Sequence, residues 1–211
     1  MSPLTSSAVF QLRVVLCGVR PLVWRRLLVP RDLSLADFHR VLQIAFGWSG
    51  FSLYTFHFHG RTVGRHTGDP HAVQLADLAL HRGERFRYRY HFFAPWDCDV
   101  RLESILPQVG SPVLPCCVAG RTPAPDEDEG GAWRYQQLQD HHRFPPRDAL
   151  SVLAETIHNV LQQGNRAEVD LEELEPAQEQ VEAYLEFRER KFQRQQVNTE
   201  LNQLLLSRRE A

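Results

Sequence analysis

Residues Phe86-Arg87-Tyr88-Arg89-Tyr90-His91-Phe92 alternate without a break between aromatic and basic or imidazole side chains. A period of two belongs to a β-strand, where successive side chains take opposite faces. Val100 to Ile105 is placed to be the hairpin partner of that strand. Val9 to Cys17 and Val23 to Val29 are rich in β-branched and apolar residues. Gly18-Val19-Arg20-Pro21 separates them and Pro30 stops the second, so they predict an antiparallel pair. Tyr54 to His59 sets Phe56 and Phe58 on one face and His57 and His59 on the other. Val73 to Leu78 reads as a short strand running into a helical turn.

Helical spacing appears between these strands. Leu35, Phe38, Val41, Leu42 and Ala45 make one apolar face. Ser34 is placed to cap the helix with Asp37 as its acidic partner, and Gly47 to end it. Trp48 follows as a core anchor. Trp133 to Asp140 and Asp148 to Gln163 predict two further helices, while Pro107 to Gly131, rich in Pro and Gly, reads as a loop. From Arg166 onward glycine vanishes and Glu, Gln and Arg dominate. Pro176 suits the first turn of a long helix there. Its apolar stripe slips before Val197, which spoils a strict heptad. The expectation is an α+β protein, an antiparallel sheet with packed helices followed by a C-terminal helical extension. Residues 1–8 are a disordered start, 9–165 the α+β domain and 166–211 the extension.

Charge narrows the function classes. Lys and Arg number 24 against 26 Asp and Glu, a net charge of -2. Nothing here attracts phosphate backbones globally, so nucleic-acid binding requires a local basic patch. No apolar run is long enough to span a bilayer, which predicts no membrane association. The polar N-terminus lacks the pattern of a secretory signal. Cys17, Cys98, Cys116 and Cys117 show no disulfide-framework spacing, and reduced thiols in a cytoplasm fit best. Nucleotide-binding, hydrolase and zinc-protease signatures are missing, so no cofactor is predicted.

Several residue groups are candidates for chemistry. His57 and His59 are alternate residues of a strand and can meet one divalent metal ion, with His91 or Cys98 completing the set. The competing reading makes them solvent-facing partners of two core phenylalanines. Glu127 and Asp128, before Gly130-Gly131, can hold a divalent cation or accept from a basic partner; otherwise they belong to a solvated acidic loop. Arg25 and Arg26 can touch phosphate or carboxylate, unless Trp24 sits in the core and the arginines lie at the sheet surface. Arg190, Lys191 and Arg194 make a tail cluster that contacts an anion or partner if one helix presents them together. His39 has no nucleophile at useful spacing.

One stretch carries a recognisable pattern: Trp24-Arg25-Arg26, Val29-Pro30, Leu35, Phe38-His39, Gln43, Ala45-Phe46-Gly47-Trp48, Leu53 and Phe56. It resembles the Ri-plasmid third-open-reading-frame family, whose members are labelled TnpR-type passenger proteins of insertion elements. A second family stretch keeps Tyr90, Phe92 and Trp96, with His91, Phe93, Ala94 and Cys98 replacing the family residues. A third keeps Glu127, Asp128, Gly130, Gly131 and Tyr135. The resemblance implies an α+β fold on an antiparallel sheet and brings no established activity. The expectation is a non-enzymatic binding or accessory protein linked to a mobile element, with its C-terminal helix available to a protein partner. The alternatives are a metal-dependent enzyme and a DNA-binding accessory factor of recombination or transposition.

Overall fold

The computed structural model describes residues 8–64, 66–108, 113–164 and 169–209. The predicted disordered start lies, apart from Ala8, outside them. Seven strands form one sheet: β1 (Ala8–Leu16), β2 (Trp24–Pro30), β3 (Tyr54–Phe58), β4 (Arg61–Gly64), β5 (Arg85–Tyr90), β6 (Trp96–Pro107) and β7 (Cys116–Arg121). The spatial order is β4-β3-β5-β6-β1-β2-β7, and each neighbouring pair is antiparallel. The helices are α1 (Leu35–Phe46), α2 (Gly131–His141), α3 (Arg147–Gln163), α4 (Leu171–Glu189) and α5 (Arg194–Arg209). The α+β reading holds.

Two compact units result. One runs to Gln136 and resumes at Phe192; the other is Gln137–Lys191. A boundary at 165/166 therefore falls inside the second unit, because α3 and α4 pack on each other. The C-terminal extension is two helices, interrupted after Glu189. Pro176 lies inside α4 rather than in its first turn, since Asp170 caps the helix through the Glu172 amide.

The first unit buries one face of the sheet under α1. Phe38 stacks on Phe56 at 6.0 Å and meets Phe86 at 6.1 Å. Leu12, Val14, Leu27, Tyr88 and Val100 complete that face, each fully buried. The predicted caps form: the Asp37 amide donates to Ser34 Oγ at 3.1 Å, and Gly47 is left-handed with φ 73°.

Two further expectations fail. The Pro- and Gly-rich stretch 107–131 contains β7, whose short run Cys116-Cys117-Val118-Ala119 pairs with β2. The second failure is on β2. Arg25 is only 2% exposed and shares the core face with Leu27 and Val29, while Trp24 takes the outer face. The guanidinium is accommodated because carbonyls surround it. Nε donates to Ala45 O at 2.8 Å, and Nη1 to the carbonyls of Trp24, Arg121 and Thr122 at 2.9, 3.2 and 3.0 Å. Phe192 stacks over it at 3.9 Å. Burial pushes its pKa down to about 10, so it stays charged at neutral pH.

Candidate functional site

The three stretches that carry the family resemblance meet at one end of the sheet. Trp48, fixed by the left-handed turn at Gly47, stacks on Tyr90 at 5.2 Å and on Phe46 at 4.9 Å. Trp96 lies 6.1 Å from Trp48 and meets Tyr135 edge-on at 6.2 Å. Both indoles hold the acidic turn by its backbone. Trp48 Nε1 donates to Pro125 O at 3.0 Å and Trp96 Nε1 to Glu127 O at 2.9 Å. Gly131 brings α2 against the β5–β6 connection so closely that a Cβ would lie 3.3 Å from the Ala94 carbonyl carbon. Its φ of +80° adds a second reason for glycine there.

Glu127 turns inward from this bracket. Its carboxylate accepts from the Tyr90 hydroxyl and, at 3.0 Å, from the Ser49 amide. Burial opposes ionisation, but the hydrogen bonds from Ser49 and Tyr90 outweigh it and hold the carboxyl below its ordinary range. The Tyr90 oxygen also accepts from Gly50 N at 3.1 Å. Asp128 points outward with its side chain 88% exposed, 4.0 Å from His91 Nε2. His91 caps its own turn by accepting from the Ala94 amide at 3.1 Å.

A second polar cluster adjoins the first on the core side of β5. His39 Nδ1 lies 2.7 Å from the Tyr88 hydroxyl, to which Gln43 Nε2 donates at 2.6 Å. The imidazole stacks on Tyr54 at 3.7 Å. Burial drives its pKa down to about 4, against a hydrogen bond to the Gly50 backbone that favours protonation. His39 is therefore neutral at pH 7, with both ring nitrogens engaged. It sits on the floor of an open cleft of about 850 Å³, lined also by Gln43, Trp48, Ser52, Tyr54 and Asp69.

The other candidates separate. His57 bonds the Thr55 and Thr62 hydroxyls at 2.9 and 3.0 Å. His59 leaves the strand with φ 45° and lies 3.9 Å from Glu84. Opposite His57 stands Arg87, four residues from His91, which is roughly 13 Å along the sheet at about 3.3 Å per residue. The suggested metal ligands thus form two groups, His57 with His59 and His91 with Glu127 and Asp128. Cys98 is buried, its thiol pushed well up by burial. Among the described residues no three His, Cys, Asp or Glu side chains stand close enough to share an ion.

The basic candidates also part. Arg25 is not an anion contact but a core residue. Arg26 pairs with Glu103 through two bonds of 2.6 and 3.1 Å. Arg190 lies over Phe187 at 5.3 Å, and Arg194 donates to Val118 O at 2.9 Å. The helix break between Glu189 and Arg194 ends the single helical surface on which Arg190, Lys191 and Arg194 were to stand together.

The indole bracket was foreshadowed by the resemblance, which singled out Trp48, Trp96 and Glu127 without placing them together. The Tyr88–His39–Gln43 cluster carries only the weaker signal of two polar residues four apart, both buried, on an amphipathic helix. No helix among the described residues is long and apolar enough to cross a membrane.

The first unit is thus an antiparallel sheet backed by α1, with its aromatic end holding an acidic turn. The family described as plasmid pRiA4b ORF-3-like protein matches residues 8–201, and the chain belongs to it. It is 34% identical over 142 residues to the uncharacterized protein y4hQ of Sinorhizobium fredii (strain NBRC 101917 / NGR234), covering 63% of this chain and 72% of that one. A crystal structure of the protein of unknown function MM3350 from Methanosarcina mazei Go1 superposes with a TM-score of 0.57 at 27% identity, covering 78% of this chain and 94% of that one.

Proposed function

We propose that this chain is a cytoplasmic, non-catalytic accessory protein of a mobile element that docks a basic, apolar segment of a partner protein on the aromatic end of its sheet. The observation that carries this reading is the exposure of Phe93 (100%), Phe51 (90%) and Trp133 (74%) around the acidic turn. The segments that carry two of these side chains are joined through the backbone. The His91 amide donates to Leu53 O at 3.0 Å, tying the loop that carries Phe51 to the turn that carries Phe93. A group of large apolar side chains left exposed together marks an interaction site. Asp126 and Asp128 are exposed beside it, so the complementary partner is positively charged as well as apolar.

The absence of catalysis is supported by how the reactive groups are spent. His39 is neutral and hydrogen-bonded to Tyr88, Glu127 is bound by Tyr90 and Ser49, and burial pushes the Cys98 and Cys117 thiols up. The four free cysteines support a reducing compartment. The plasmid in the family's description supports the mobile-element link.

Calorimetry with two helical peptides tests the docking surface, one carrying lysine and leucine faces and the other glutamate and leucine faces. The lysine peptide is expected to bind, and Phe51→Ser with Phe93→Ser to weaken it at least about tenfold. Equal affinity for the two peptides, or no loss in the double variant, rejects the reading.

A further inference from the structure

The outer face of the sheet carries a feature that appears only when its strands are read in register. Arg13 of β1 stands opposite Arg26 of β2 on one side and opposite Arg101 of β6 on the other. Arg101 in turn stands opposite Arg85 of β5. Four arginines on four neighbouring strands form one row across the sheet. The row lies on the face away from α1, since the alternate residues Leu12, Val14, Arg25, Leu27 and Val100 are the buried ones.

Like charges directly opposite each other across strands destabilise a sheet. Carboxylates pair directly only with the two end residues of this row, although Glu103 also acts on Arg13 through space. Arg26 pairs with Glu103 at 2.6 Å and Arg85 with Asp99 at 2.7 Å. Arg13 and Arg101, in the middle, have no ion pair among the described residues. Arg13 Nε is also buried without a hydrogen-bond partner among them. An unpaired buried donor costs stability, and here it belongs to a cation in the centre of a basic row. Trp24 stands in the next row of the same face, with Arg13 and Arg26 over its ring at 5.1 and 5.4 Å.

We propose that this face binds single-stranded nucleic acid, with the arginine row neutralising successive phosphates and Trp24 stacking on a base when Arg13 or Arg26 leaves its ring for a phosphate. Three inter-strand steps of about 4.8 Å give the row a length of about 14 Å, enough to follow a backbone across the sheet. A basic track beside an aromatic platform suits unstacked bases and tolerates any sequence. A duplex presents its bases only as edges inside grooves, which admit a helix or a two-stranded ribbon rather than the face of a broad sheet. The chain's net charge of -2 does not oppose this, because binding depends on the local patch. The residues differ from the aromatic end that docks a partner, so either site stands if the other fails.

Fluorescence anisotropy of the full chain with a labelled oligothymidylate of about 20 nucleotides tests the proposal. Affinity is expected to fall between about 50 and about 200 mM salt with a log–log slope near −1.4, about 0.7 for each of the two phosphates met by the unpaired Arg13 and Arg101. Arg101→Gln and Arg13→Gln are each expected to weaken binding about tenfold at low salt, and Trp24→Leu about fivefold or more. Melting curves taken alongside establish that each variant is folded. Folded Arg101→Gln protein with unchanged affinity overturns the proposal. A flat salt response overturns it too, as does a duplex of equal length binding as tightly as the single strand. Inorganic phosphate that competes as well as the oligonucleotide reduces the face to an anion site and overturns it likewise.

Discussion

Arg25 donates from Nε to the carbonyl oxygen of Ala45 at 2.8 Å, joining the core face of β2 to the last turn of α1. That turn contains no basic residue of its own, and helix C-terminal carbonyls carry partial negative charge. The cation that complements them comes from a strand instead. Replacing Arg25 with Met keeps much of the volume but leaves the carbonyls of Ala45, Arg121 and Thr122 without their donor. The expected loss is about 3–5 kcal/mol in urea unfolding, the cost of breaking a buried charged network from one side. Arg25→Lys restores the charge without the fork of donors and is expected to recover only part of it. A Met variant within about 1 kcal/mol of the parent contradicts this assignment.

The edge of the sheet at β7 makes a second prediction. Asn198 of α5 accepts from Cys117 N at 2.7 Å and donates to Cys117 O at 3.0 Å, as a neighbouring strand would. Arg194 covers the next carbonyl, Val118 O, at 2.9 Å. An uncovered edge strand is a template for pairing with another chain. Asn198→Ala is expected to cost about 1–3 kcal/mol. It is also expected to produce concentration-dependent dimers by light scattering. A variant that loses stability yet stays monomeric at every concentration shows that α5 covers the edge without Asn198.

His39 makes stability depend on pH in a defined window. Its folded value of about 4 lies below the ordinary 6.5, so between those values the unfolded chain takes up a proton that the folded chain refuses. The contribution is complete above pH 6.5, declines as pH falls toward 4 and changes no further below that. The gap corresponds to at most about 3 kcal/mol. Glu127 and Glu103 have folded values below their ordinary range, so their stabilisation is lost at lower pH, as each carboxylate is protonated. His39→Gln is therefore expected to flatten the urea midpoint between pH 4 and 6.5 while leaving the steeper acid limb. Persistence of the full slope assigns it to other groups.

Much of the fold was legible because its signals are local. The alternation read from Phe86 to Phe92 and the Ser34 and Gly47 caps depend on neighbours in sequence; the caps form as read and the strand forms as far as Tyr90, after which His91 turns away with φ 61°. β7 was hidden because Pro and Gly flank a run too short to show a period, and only the β2 edge makes it a strand. Trp24 and Arg25 were assigned to the wrong faces for a related reason. Hydrophobicity puts an indole inside and a guanidinium outside, whereas the carbonyls that reverse the preference come from α1 and from the end of β7. The aromatic end of the sheet was legible as three separate motifs. Their convergence, and the arginine row, follow from strand order and register, which no spacing along the chain encodes.

The arginine row predicts a change of unusual sign. Most substitutions in a sheet destabilise it, but Arg101 faces Arg13 on one strand and Arg85 on the other. It has no ion pair among the described residues to lose. Arg101→Gln is expected to raise stability by about 0.2–1 kcal/mol through relief of cross-strand repulsion. Arg26→Gln, which breaks the 2.6 Å bond to Glu103, is expected to lower it. Paired urea titrations at low salt and at about 1 M salt separate the causes, because screening removes the gain at position 101. A lower midpoint for Arg101→Gln at both salts makes the row a structural element. A higher midpoint at low salt means the chain keeps a row that costs it stability, as a surface retained for binding anions would.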